Sequence, residues 1–390
     1  MPRIESIDCF FLRYPFPEDI RYVYSGGRCD NMDAALVLLT CDNGETGLGE
    51  ITHGQFTFEP IPGLVAHFER VLKGHELGDI NRTWELMYGS SVFWNREGVG
   101  IGVMGGIDLA LHDALGKTLG LPVWQLLGGR ARKDVRIYAS NGLFDQPEPL
   151  IDDARRAQAR GFDAYKMRVV RPETTPPLVA AFRETFGDQL DLAVDAVQGS
   201  CAVPWPLSLV KRLARALEPC DLMWLEEPCR VEDIEGYREL RQTTSLTVAG
   251  AESIPTARAF KPYLEAEAFG LVQFDIATSG FSEGRRIATL AGLHQKPVGI
   301  HSWGSQVSIM AGIHMAVATN NVAITEYCFM DHPLNERLAL APLEINDGRV
   351  AAPEGPGLGV VFDAALADEF RYTPGANTMI LTDQTDMRLT

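Results

Sequence analysis

The 390-residue sequence predicts an α/β protein whose main body is a (β/α)₈ barrel of the TIM type, joined to a smaller α+β unit that caps it, and three observations carry that reading. From about residue 131 short apolar runs alternate with helically spaced stretches, strand then helix, eight times over. Several of those runs stop on a charged residue, where core formation alone would not place one. No P-loop supports the alternative of an open, doubly wound sheet, and polar strand ends spread evenly along the chain favour closure.

Residues 1–130 read as the separate α+β unit. RIESIDCFFLRY and AALVLLTCDNGETGLGE carry strand patterns, the second closing on an Asn-Gly turn that begins a hairpin. Helical spacing follows in PIPGLVAHFERVLKG, DINRTWELMYG and GVMGGIDLALHDALGKTLG, and LPVWQLLGG supplies the stop. YPFPEDIRYVYSGGRCDN and ITHGQFTFEP are aromatic and rich in turn residues. On composition alone they are either lids over a site or ordinary surface loops.

Residues 131–350 carry the barrel pattern. The expected strands are VRIYAS (135–140), DAYKMRV (163–169), LDLAVD (190–195), LMWLEE (222–227), LTVAG (246–250), GLVQFD (270–275), PVGIHS (297–302) and VAITEY (322–327). Stretches such as PLSLVKRLARALEP and GRRIATLAGLHQ supply the helices between them. The chemistry of such a barrel sits at the C-terminal strand ends.

Composition bounds the function. With 52 acidic against 35 basic residues the net charge is −17, which argues against nucleic acid or an anionic membrane as partner. A hydrophobic fraction of 46% supports a sizeable core. The cysteines Cys9, Cys29, Cys41, Cys201, Cys220, Cys229 and Cys328 are odd in number and form no CxxC pair, so reduced thiols in a cytoplasmic protein are expected, with neither a disulfide framework nor a zinc site. No basic segment leading into an apolar one opens the chain, and no stretch reaches the run of about 18 apolar residues that a membrane span needs.

The acids at strand ends point to a metal. Asp195, Glu226 and Glu252 are spaced by 31 and 26 residues, about one βα unit each, so consecutive strands bring them to one end of the barrel. Converging carboxylates repel one another unless a cation sits among them, and all-oxygen ligation selects Mg²⁺ or Mn²⁺ over Zn²⁺. Glu227 follows Glu226 directly, and strand alternation directs it to the opposite side as a supporting group. Lys166 and Arg168 sit two apart on one strand and share a face; Asp275, His301 and Glu326 end the last three strands. Neighbouring strands place Asp275 beside His301, an arrangement in which a carboxylate orients an imidazole and raises its basicity.

The series Lys-x-Arg, Asp, Glu-Glu-Pro, Gly-Ala-Glu, Asp, His and Glu on successive strands resembles the enolase superfamily, and within it the mandelate racemase subgroup. SGFSEGRRIATLA and HSWGSQVSIMAGIHMA further resemble the acid-sugar dehydratases of that subgroup. The resemblance spans the chain and implies that residues 351–390, opening with PEGPGLGVVFD, return to the cap. It implies Mg²⁺ on Asp195, Glu226 and Glu252, a small-molecule carboxylate as substrate, and removal of the proton α to that carboxylate to give an enediolate, chemistry for which Lys or His bases with Mg²⁺ in this superfamily are a worked example. His301, oriented by Asp275, is then a base. Glu326 corresponds to an acid that donates to the enediolate, and Lys166 neutralises developing charge. The resemblance also makes the two aromatic loops lids, with Tyr22, Tyr24, Arg28 and His53 as candidate substrate contacts, and suggests a homo-oligomer by analogy.

The departure is Arg168, where many members have a lysine able to act as a second base. A guanidinium stays protonated at any working pH, so Arg168 is expected to bind substrate instead, with Lys166 as the alternative second base. The expected reaction is dehydration of an aldonate or aldarate to its 2-keto-3-deoxy acid. Racemisation, epimerisation or lactone cycloisomerisation through the same enediolate is the alternative, and a catalytically silent barrel the remote one.

Overall fold

Parallel pairing runs unbroken through eight strands, Val135–Leu143, Ala164–Arg168, Asp191–Asp195, Leu225–Glu226, Val248–Gly250, Leu271–Asp275, Val298–His301 and Val322–Cys328, and the last pairs with the first. The sheet is therefore a closed barrel, and the open-sheet alternative is excluded. The structure is a computed structural model that describes residues 1–18, 22–24, 27–169, 171–201, 203–373 and 379–380, by backbone alone at 22–24, 27, 28, 142, 143, 364, 379 and 380.

Strand register, more than strand count, positions the site. Arg168 pairs with Asp195 and Asp195 with Glu226, while Asp275 pairs with His301. Register thus sets Arg168, Asp195 and Glu226 side by side, and Asp275 beside His301, at the C-terminal strand ends. The strands are buried on both sides because helices cover them, which is why they read as continuous apolar runs. The barrel helix Leu207–Leu217 buries Val210, Leu213, Ala214 and Leu217 and leaves its basic residues outside. A short antiparallel strand, Arg349–Val350, joins the N-terminal end of the first barrel strand.

The cap is a three-stranded antiparallel sheet, Ile4–Pro15 beside Asn31–Cys41 beside Thr46–Ile51, with helices Ile61–Leu72, Ile80–Ser91 and Val99–Leu119. Gly44, at φ 85°, makes the tight turn between its second and third strands. Helix Val99–Leu119 has the length and hydropathy of a membrane span, which a search for unbroken apolar runs misses, but 94% of its most apolar window is buried inside the protein. It is the core helix between cap and barrel. A Cβ at Gly105 would lie 2.2 Å from the carbonyl oxygen of Thr278, so the bare glycine is what lets a barrel helix, Ile276–Leu293, approach.

The C-terminal segment lies on the cap. The Arg13 amide donates to the Phe370 carbonyl at 2.7 Å, Leu12 and Arg371 form a bridge, and the rings of Phe10 and Phe362 stand 4.9 Å apart. Met379–Ile380 pairs with Gly27–Cys29, one arm of a hairpin whose other arm is Tyr22–Tyr24.

Candidate active site

A cavity of about 320 Å³ opens at the C-terminal rim, between barrel and cap. Barrel residues Arg168, Asp195, Glu227, Glu252, Asp275, His301 and Trp303 line it, and the cap adds Thr52, His53, Gln55 and Phe56. Lys166, Glu226 and Glu326 are fully buried next to it.

Lys166 is the hub of the buried charges. Its Nζ lies 2.6 Å from Glu226 Oε1, 3.0 Å from Glu326 Oε1 and 3.6 Å from Asp195 Oδ2. Burial alone would lower its pKa, but Glu226 and Glu326 outweigh it and raise the pKa well above the ordinary lysine value. The other oxygen of Glu226 accepts from Trp224 Nε1 at 2.8 Å and Gln273 Nε2 at 2.9 Å.

His301 is bracketed by acids. Its Nδ1 meets Asp275 Oδ2 at 2.7 Å, and its Nε2 lies 3.2 Å from Glu252 Oε2 and 3.5 Å from Glu326 Oε2. Burial works against the imidazolium, yet Glu252, Glu326 and Asp275 together raise the pKa to about 10. Glu326 goes the other way. Burial would raise its pKa, but Lys166, His301 and Arg168 hold it below the ordinary carboxylate range. Donation by a protonated Glu326 thus needs added negative charge beside it, such as a substrate carboxylate would bring.

Glu227 is not where strand alternation directs it. The strand ends at Glu226, Glu227 takes φ 40°, and its side chain turns into the cavity. Gly199 makes the room, since a Cβ there would lie 2.1 Å from Glu227 Oε2. Alternation holds only while the pleat continues.

The acids suit a hard divalent cation. Burial first, then Glu226, raises Asp195 to about 7, and burial raises Glu252 as well. Glu227 lies far above the ordinary carboxylate range through burial and the charges of Glu252 and Asp195, and its buried Oε1 has no hydrogen-bond partner. Among the described residues no three acid, histidine or cysteine side chains already form a cage; the acids close on Lys166 and His301 instead. The donor set, all carboxylate oxygen with surplus negative charge, fits Mg²⁺ or Mn²⁺.

Arg168 is locked away from base chemistry. Its guanidinium carbon lies 3.8 Å from the Trp303 ring centroid, Nη1 donates to the Asn141 carbonyl, and Nε stands 3.8 Å from Asp195 Oδ2.

Two family descriptions match the chain: the Mandelate racemase / muconate lactonizing enzyme N-terminal domain over residues 22–128, and the Enolase C-terminal domain-like description over 150–366. The chain belongs to the mandelate racemase/muconate lactonizing enzyme family of the enolase superfamily. It is 31% identical over 358 residues to the D-galactarolactone cycloisomerase of Agrobacterium fabrum, covering 88% of this chain and 93% of that protein. To the D-galactonate dehydratase of Xanthomonas euvesicatoria it is 30% identical over 352 residues, covering 85% and 90%. Among solved structures it is similar to a racemase from Streptomyces coelicolor with bound magnesium, at 27% identity and TM-score 0.85, covering 94% and 99% of the two chains. This family member is therefore an enzyme whose relatives act on sugar acids and their lactones.

Set against this family site, the sequence-derived residues fall into three groups. Asp195, Glu252, Asp275, His301, Arg168 and His53 line the cavity, and Lys166, Glu226 and Glu326 are buried in contact with those groups. His53 is half-buried, and its loss of solvation lowers its pKa. The side chains of Tyr22, Tyr24 and Arg28 lie outside the described residues. Sequence reasoning missed Thr52, Gln55 and Trp303 as lining residues. ITHGQ and HSWGS stood in stretches already singled out, but nothing in a single sequence tells which residue of a loop faces inward.

Proposed function

We propose that this protein is a Mg²⁺-dependent hydro-lyase that removes water from an aldonate or aldarate to give a 2-keto-3-deoxy acid. The observation that carries the reading is the one-sidedness of the cavity. His301 presents Nε2 with Asp275 behind it, whereas opposite stands an arginine stacked on Trp303. Dehydration needs one base that can hand its proton back as an acid; two-base racemisation needs a proton acceptor on each face of the α-carbon.

Asp195, Glu226 and Glu252 would hold the cation, with Glu227 adding negative charge beside them. When bound, the cation supplies charge stabilisation to a substrate carboxylate as its α-carbon loses a proton. With Glu252 engaged in holding the cation, its charge would no longer raise the His301 imidazole, whose pKa would then fall from its elevated value. His301 then takes the α-proton, Lys166 and Glu326 meet the negative charge on the carboxylate oxygens, and His301 returns the proton to the β-hydroxyl as the C–O bond breaks. Arg168 holds a carboxylate or distal hydroxyl of the substrate. Relatives named for D-galactonate and D-galactarolactone support a sugar acid as the substrate class.

The cycloisomerase relative favours one second reading, in which the same proton is removed from a sugar lactone and ring opening replaces loss of water. Incubating the Mg²⁺-loaded protein with aldonic and aldaric acids in D₂O separates the two, with semicarbazide scoring 2-keto acid and NMR scoring deuterium. Keto acid formed by the wild type and lost in Glu252→Gln supports dehydration; deuterium uptake or isomerised product without keto acid overturns it. Independently of turnover, Mg²⁺ should raise the Tm of the wild type and leave that of Glu252→Gln unmoved.

A further inference from the structure

Thr52 belongs to the cap, yet its Oγ1 donates to Asp275 Oδ1 at 2.5 Å, across 223 residues of sequence. The same oxygen accepts from the Thr278 amide at 2.6 Å, where Asp275 caps the helix that follows it. With both donors on Oδ1, the other oxygen is left for His301 Nδ1 at 2.7 Å. Thr52 is fixed in turn by its neighbours. Glu50 accepts from the Ser305 amide at 3.0 Å, the Ser305 hydroxyl at 2.8 Å and the Ser308 amide at 3.0 Å, and Gln55 Nε2 donates to the Trp303 carbonyl at 2.5 Å. Residues 50–55 of the cap therefore grip both Asp275 and the segment just after His301.

We infer that Thr52 is a positioning residue, supplied by the cap, that fixes the Asp275 carboxylate and through it aims His301 Nε2 into the cavity. The reason is geometric. A carboxylate held by the Thr278 amide alone can rotate about χ2 and exchange the oxygen it offers to His301, whereas a second donor on Oδ1, from an element outside the barrel, fixes the plane. The base is then fully assembled only with the cap seated, so a substrate enclosed by the cap meets an aligned imidazole. The inference rests on the proposed proton abstraction by His301.

The test uses the full-length Mg²⁺-loaded enzyme and the variants Thr52→Val, which replaces the hydroxyl with a methyl of equal size, and Thr52→Ser, which keeps the hydroxyl. Thr52→Ala deletes the donor without adding a methyl, should the valine disturb the seat. Outer-shell partners of metal-bound histidines are worth about 10–100-fold, and Thr52 acts one step further back, so a loss of about tenfold in kcat is expected for Thr52→Val, with KM unchanged and Thr52→Ser close to wild type. The downfield proton resonance of His301 Nδ1–H, read without substrate, should broaden in Thr52→Val and sharpen again in Thr52→Ser. A sharp resonance and wild-type kcat in both donor-deleting variants overturn the inference, as does a change confined to KM, which would make Thr52 a substrate contact. If the wild type turns over no sugar acid, the proposed function fails, while the resonance still decides whether Thr52 holds the pair.

Discussion

The two flanks of the cavity are built from the same barrel but supported differently. On one flank His301 and Asp275 sit on adjacent strands in register, and the cap holds Asp275 through Thr52 and the segment after His301 through Glu50 and Gln55. On the other, Lys166 and Arg168 are held from within the barrel, the lysine by Glu226 and Glu326 and the arginine by Asn141 and Trp303. The first flank is an imidazole with an orienting carboxylate, the base of the proposed reaction. The second is a pair of cations with no neutral group to accept a proton. In the proposed reaction the direction of proton traffic is set by what stands behind each group, since both flanks place a nitrogen at the same rim.

The sharpest way to break the contrast is to remove the base. His301→Asn should cut both turnover and exchange of the α-proton by about 10²–10⁴-fold, the usual worth of a positioned general base, and leave the Mg²⁺-induced rise in Tm in place. Exchange that survives at wild-type rate would show that the lysine flank abstracts the proton on its own.

The next effect tests the grip of the cap. Burial, with a contribution from Asp275, raises Glu50 from the ordinary 4.5 to about 7, against the lowering effect of its bonds to Ser305 and Ser308. A folded-state pKa above the unfolded one means that the folded protein keeps a proton the unfolded chain has lost. The carboxyl therefore costs nothing below pH 4.5, costs progressively more as pH rises toward 7, and costs a constant amount above that. Across that window the penalty grows to about 3 kcal/mol. Urea unfolding from pH 4.5 to 8, wild type minus Glu50→Gln, should show that fall. Parallel curves would mean that Glu50 is solvated enough to keep an ordinary pKa.

How much of this was legible in the sequence depends on the physics of each residue. Strands that end on Asp195, Glu226, Asp275 and His301 announce themselves, because a charge closing an apolar run has no packing reason to be there. The barrel follows from eight such units, and adjacency of Asp275 to His301 follows from strand order. Glu227 was misdirected because the pleat stops one residue before it, and a φ of 40° leaves no trace in composition. The grip of Glu50, Thr52 and Gln55 was invisible for a different reason. Those contacts join residues more than 200 positions apart, and no local pattern specifies them. The stretch ITHGQFTFEP accordingly read as either a lid or a surface loop, whereas Thr52–Gln55 forms a short 3₁₀ turn fastened to the barrel.

The smallest effect probes the second flank, and it has the most to say about why the chain carries arginine at its departure from the family pattern. Arg168→Lys keeps the charge but loses the planar stack on Trp303 and the fork that reaches both Asn141 and Asp195. A stacked, partly desolvated guanidinium is worth about 1–2 kcal/mol, so kcat/KM should fall about 5- to 30-fold if Arg168 binds substrate. The informative readout is the product. A lysine there can lose its proton, and its stem is long enough to approach the α-carbon from the face opposite His301. If the variant only weakens, with keto acid still the product, the flank lacks the geometry for a base whatever residue stands there. If it begins to exchange or invert the α-carbon, the arginine is what confines the enzyme to one-sided chemistry, and a single guanidinium separates this site from a two-base one.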